Sequence, residues 1–187
     1  LPTRIAQAPD GIVRMHVDSR LGVCGDGRDV IGYRNAIFAR NFQSIGGHWA
    51  SSRCVAGPLR VTLTVANGQV RQLRTQVGGD WPATEQRVTD LGEVPPADAS
   101  AYFFSLVPRL ETASGKDRLL IPAVLADGAP VIPPLLAMAR DTAREEHTRR
   151  AAVQWLGILG DATVIPALAQ FARDDLDNEG NDKAGKK

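Results

Sequence analysis

The sequence predicts an α+β fold: an N-terminal antiparallel β domain carrying one disulfide, followed by a short helical stack. Three observations predict it. Apolar and polar residues alternate in several runs before residue 78, Cys24 and Cys54 lie in glycine-flanked segments, and from residue 96 onward the apolar spacing lengthens to that of helices.

The first strand is expected over 12–17, where Val13, Met15 and Val17 point one way and Arg14 and His16 the other. Between Leu21 and Gly57 the apolar residues are scattered among Gly, Asn and Ser, so a long disulfide-anchored loop with short strands is expected. The clearest local signal follows. Leu59, Val61, Leu63 and Val65 alternate with Arg60, Thr62 and Thr64, and Asn67-Gly68 turns the chain into a second strand over 70–77. Trp81 and Pro82 then begin a linker.

Pro95 and Pro96 suit a helix start, with Ala97, Ala101, Phe104 and Leu106 or Val107 as its apolar stripe and Pro108 as its stop. A second helix is expected over 117–126, kinked or delayed by Pro122. The division expected is a β domain over 1–82, a linker over 83–95, helical repeats over 96–175 and a polar tail over 176–187.

Residues 129–141 and 162–174 are identical at eight of thirteen positions, at an offset of 33 residues. A period in that range is typical of helical solenoids. Between the copies, Ala152, Val153, Leu156 and Leu159 share one helical face, Gly160 can end that helix and Asp161 can cap the next. Leu135, Met138, Val153, Leu156, Leu159, Leu168 and Phe171 are the expected repeat core, and Trp155 either packs beside them or stands as an exposed anchor. Arg149 and Arg150, with Asp141 and Asp174, are expected to pair between repeats.

The run Arg149-Arg150-x-Ala152-Val153-x-x-Leu156-Gly157-x-Leu159-Gly160-Asp161, followed by Val164-Ile165-Pro166-x-Leu168, resembles the HEAT-like repeat of the phycobilin-lyase type. The resemblance covers about 118–175, and the earlier copy lacks the Leu-Gly-x-Leu-Gly element. It implies a short α-solenoid used as a protein-binding scaffold, with bilin attachment in some members. In plan the chain is similar to membrane-extrinsic polypeptides of bacterial photosynthetic reaction centre-antenna complexes.

Charge and motifs narrow the function classes. The net charge is +1, from 22 basic and 21 acidic residues, which leaves no positive field for nucleic acid or anionic lipid. His16, His48 and His147 share no metal-ligand spacing, Asp26 and Asp29 lack the rest of a calcium loop, and Ser19 and Ser44 stand in no nucleophile motif. Gly22-x-x-Gly25-x-Gly27 lacks the lysine of a phosphate loop. No cofactor, metal or catalytic residue is therefore expected.

A chain starting at Leu1, a cysteine pair read as a disulfide and the lack of a long apolar run together predict an exported protein, periplasmic or extracellular and membrane-extrinsic. The expected function is a non-catalytic scaffold docking on protein subunits of a membrane-associated assembly, with a photosynthetic complex as the favoured host. A periplasmic peptide or small-ligand binding module and a bilin-lyase-like enzyme are the alternatives.

Overall fold

A computed structural model describes residues 1–33, 36–37, 54–110 and 118–173 of the chain. It is α+β, with two sheets in an N-terminal unit, Leu1–Val131, and helices in a second unit that begins at Ile132.

The N-terminal unit opens with a short helix, α1 (Pro2–Ala6), whose proline stands in the first turn, where a backbone N–H has no intrahelical partner. Eight strands follow among the described residues: β1 (Gly11–Val17), β2 (Cys24–Gly25), β3 (Val30–Tyr33), β4 (Ala36–Ile37), β5 (Val55–Ala56), β6 (Leu59–Ala66), β7 (Gln69–Val77) and β8 (Val88–Glu93). The larger sheet has the order β7-β6-β1-β8, and the smaller β4-β3-β2-β5.

The 59–77 hairpin forms as its alternation demands. Asn67 and Gly68 both take positive φ, 54° and 66°, and the Asn67 amide donates to Asp10 Oδ1 at 2.7 Å. On the inner face Val13, Met15, Val17, Leu59, Val61 and Leu63 are all 0 % exposed. Each such side chain contributes about 1.5–3 kcal/mol by leaving water.

β1 pairs antiparallel with β6 and parallel with β8. The expected linker over 83–95 thus contains a strand. Its Leu91 is buried and its backbone completes the sheet, which an isolated run of six residues with only Val88 and Leu91 strongly apolar does not announce.

In the smaller sheet Cys24 pairs with Ala56 and Gly25 with Val55, the residue after Cys54, and the two cysteines are bonded with Cα atoms 5.1 Å apart. The short strands expected between 21 and 57 are present as β2 to β5; the remainder of that stretch, 34–35 and 38–53, lies outside the described residues.

Helix α2 (Pro96–Leu110) buries Ala99, Phe103, Leu106 and Val107 and runs two residues past Pro108. A proline near a helix end forfeits its own N–H bond without reversing the chain direction. α2 packs on α3 (Ile121–Val124), where Pro122 lies in the first turn, so the helix expected over 117–126 is delayed to a single turn. The Ser100 hydroxyl donates to the Ala123 carbonyl at 2.7 Å. Residues 111–117 are not among those described.

The second unit contains α4 (Ile132–Arg140), α5 (Glu146–Leu159) and a helix over 165–173, α6, entered through a 3-10 turn, Ala162–Val164. α4 packs on α5. Gly160 ends α5 in the left-handed conformation, and Asp161 caps the next turn by accepting from the Thr163 amide at 2.8 Å.

The 33-residue similarity places α4 and α6 at equivalent positions, yet the described residues form no solenoid. α2 and α3 cluster with the sheets, which leaves one helix pair and a further helix among the described residues of the second unit. A solenoid needs stacked pairs, each burying its neighbour's apolar face. Burial agrees: Leu135, Met138, Leu156, Leu159 and Trp155 are buried, whereas Val153, Leu168 and Phe171 of the expected repeat core are only half-buried.

Candidate functional site

Residues that face each other across the larger sheet build its outer side. Arg14 lies opposite Thr62, His16 opposite Arg60 and Ile12 opposite Thr64; on the far side of β6, Thr62 lies opposite Arg74. Directly opposed side chains share a face, so this side carries Arg14, His16, Arg60 and Arg74 around a floor of threonines. On the β8 side Asp90 lies opposite Arg14 and Glu93 opposite His16.

Trp81 crosses this face. Its ring centroid is 5.0 Å from that of His16, at a 56° tilt, 5.1 Å from the Arg14 guanidinium carbon and 5.6 Å from that of Arg60. A guanidinium over an indole face contributes about 0.5–2 kcal/mol, more as the pair loses water. The delivery of Trp81 depends on Gln76, which is 1 % exposed and donates from Nε2 to the Gly27 carbonyl at 3.0 Å and the Asp80 carbonyl at 3.1 Å. That double bond to backbone holds the residue preceding Trp81 against the sheet.

The charges on the face are unequally answered. Arg14 donates from Nε to Asp90 Oδ2 at 2.8 Å. The Gly92 amide, and then the Arg14 guanidinium, hold the Asp90 carboxyl below its ordinary range despite some desolvation. Arg60 and Arg74 have no carboxylate partner among the described residues: Arg74 donates from Nη2 to the Arg28 carbonyl at 3.2 Å, and Arg60 Nε is shielded from solvent without a hydrogen bond. The arrangement offers a flat aromatic surface and two cations to a neighbour.

Of the residues singled out in the sequence, His16 lies on this face and Asp26 and Ser19 lie elsewhere. Asp26 accepts from the Arg28 and Asp29 amides, each at 2.9 Å, as the hub of a turn; burial opposes a lower pKa for its carboxyl, but backbone amides and the Arg28 charge together outweigh it. Ser19 donates to the Gly57 carbonyl at 2.8 Å. His48 and Ser44 lie outside the described residues, and no group of three or more His, Cys, Asp or Glu suited to a metal occurs among those described.

Among the described residues expected to pair between repeats, Arg150 and Asp141 meet near neighbours in sequence. Arg150 Nη2 meets Glu146 Oε1 at 2.7 Å within one helix, and Asp141 meets Arg144 at 3.2 Å. Arg149 Nε is buried without a hydrogen bond among the described residues, and Asp174 is not among them.

No helix among the described residues is long and apolar enough to cross a membrane. Searches for similar proteins find no matching family model, curated protein or solved structure. Together with the helix arrangement, this overturns the HEAT-like, phycobilin-lyase-type resemblance; the similarity in plan to photosynthetic extrinsic polypeptides falls with it.

Trp81 is the functional candidate that sequence reasoning passed over, as the first residue of a linker. The alternation that marked Arg14, His16 and Arg60 as outward-facing was legible, but the pairing of β1 with β6 across 41 intervening residues was not.

Proposed function

We propose that this chain is an exported, non-catalytic subunit that docks on a larger protein assembly in the periplasm or extracellular space, through the outer face of the larger sheet. The observation that carries the reading is Trp81 lying across Arg14, His16 and Arg60 on the outer face of the larger sheet. Tryptophan and arginine dominate the binding energy of protein interfaces because they combine large contact area with directional polar contacts. The Cys24–Cys54 disulfide supports placement in an oxidising compartment.

Substitution on the face tests this. Thr62 is half-buried in the middle of it, whereas Ala101 is exposed on α2. In material isolated from the producing cell, Thr62→Trp is expected to leave the chain outside the assembly and Ala101→Trp to leave incorporation intact. Incorporation of both variants, or exclusion of both while both remain folded, contradicts the reading.

A further inference from the structure

We infer that the segment received on this face is acidic, a stretch of a partner protein presenting carboxylates to Arg60 and Arg74 with its backbone or an apolar side chain laid on Trp81. The inference deepens the docking proposal and rests on it.

Charge complementarity selects the occupant. Arg14 is already engaged by Asp90 at 2.8 Å, whereas Arg60 and Arg74 have no carboxylate partner among the described residues. Thr62 stands opposite both Arg14 and Arg74 in the ladder, and Arg60 is two residues from Thr62 on the same strand face. Arg60 and Arg74 occupy diagonal positions across neighbouring strands, which places their backbones about 7–8 Å apart. Alternate residues of an extended chain are separated by about 6.6 Å, so carboxylates at alternate positions of such a segment lie within reach of long side chains anchored at these two positions.

Trp81 favours a peptide over a free small anion. Its indole stacks against the Arg14 and Arg60 guanidiniums and extends the face with apolar surface, which a sulfate or phosphate ion cannot use. A basic peptide would meet like charge at Arg60 and Arg74, a repulsion that disfavours wrong partners.

The test uses the full chain with hexaglutamate as probe, read by the indole N–H resonance of Trp81, assigned with Trp81→Leu. Binding should move that resonance, weaken with added salt and fall at least tenfold in Arg60→Gln. Arg60→Lys should recover affinity to within about threefold, and Arg109→Gln, on an exposed position of α2, should match the parent. Equal binding by the parent and Arg60→Gln overturns the inference. So does Arg60→Lys as weak as Arg60→Gln, which would trace the loss to repacking under Trp81. Inorganic phosphate, hexalysine or a heparin oligosaccharide binding as tightly as hexaglutamate also overturns it. Should Thr62→Trp abolish incorporation while Arg60→Gln leaves both incorporation and hexaglutamate binding unchanged, the docking surface stands and its acidic occupant falls; if incorporation ignores Thr62→Trp, the docking reading itself fails.

Discussion

Arg20 donates from Nε to the carbonyl of Val124 at 2.8 Å, joining residues more than a hundred positions apart. Its Nη2 reaches the Ala129 carbonyl at 2.7 Å, the Arg20 amide reaches Leu125 at 2.8 Å, and the Asp127 amide returns to Asp18 at 2.9 Å. The end of α3 leaves carbonyls without intrahelical partners, and one guanidinium supplies donors to that region. This cluster explains why α3 belongs with the sheets.

Arg20→Ala is accordingly expected to destabilise the N-terminal unit by about 2 kcal/mol, because half-buried carbonyls lose a charged donor. Arg20→Lys should recover only part, since an ammonium cannot reproduce the planar fork. Denaturant unfolding of the three proteins checks this; a midpoint for Arg20→Ala equal to the parent's would contradict it.

Reduction of Cys24–Cys54 is expected to lower stability by roughly 3.5 kcal/mol, the entropy of closing a loop of that size in the unfolded chain. Intact mass under non-reducing and reducing conditions, followed by thermal melts of both forms, measures it. Unchanged melting on full reduction would show that the smaller sheet orders without its staple.

Leu156 is 0 % exposed in α5. Leu156→Asp removes its packing and leaves a carboxylate unpaired in an apolar setting, together several kcal/mol, and should unfold the second unit. Helical circular dichroism would fall sharply, whereas Gly157→Ala, with open space at its Cβ, should be tolerated.

Much of the fold was legible where the signal was local. The 59–77 hairpin follows from strict alternation around Asn67-Gly68, and the cap at Asp161 from its place after Gly160. What was not legible depends on partners far along the chain. β8 is a strand because β1 lies beside it, and Trp81 matters because Gln76 and the register of β1 on β6 bring three side chains beneath its ring. The 33-residue similarity was real as helix sequence and misleading as architecture, because two like helices make a solenoid only when whole pairs stack.

Acid should destabilise the protein in a defined direction. Asp26, Asp90 and Asp161 all have carboxyl pKa values lowered from 3.8: at Asp26 burial opposes the shift but backbone amides and the Arg28 charge together outweigh it, at Asp90 the Gly92 amide leads, and at Asp161 the Thr163 hydroxyl leads. A carboxyl with a lower pKa in the folded state than in the unfolded contributes stability above about pH 4, which is lost as pH falls through the folded value. Denaturation midpoints from pH 6 downward should therefore hold to about pH 4 and then decline, and Asp90→Asn should flatten the decline. A midpoint rising below pH 4 would contradict these assignments.

The most direct measurement of the docking claim is photo-crosslinking in the producing cell, with a photoreactive phenylalanine analogue at Thr62 or, separately, at Ala101. Thr62 lies beside the Trp81 cluster on the outer face, and Ala101 lies exposed on α2. The account predicts one discrete protein adduct from Thr62, diminished when Arg60→Gln is combined with it, and none of that mass from Ala101. No adduct at Thr62, or the same adduct from both positions, would contradict it.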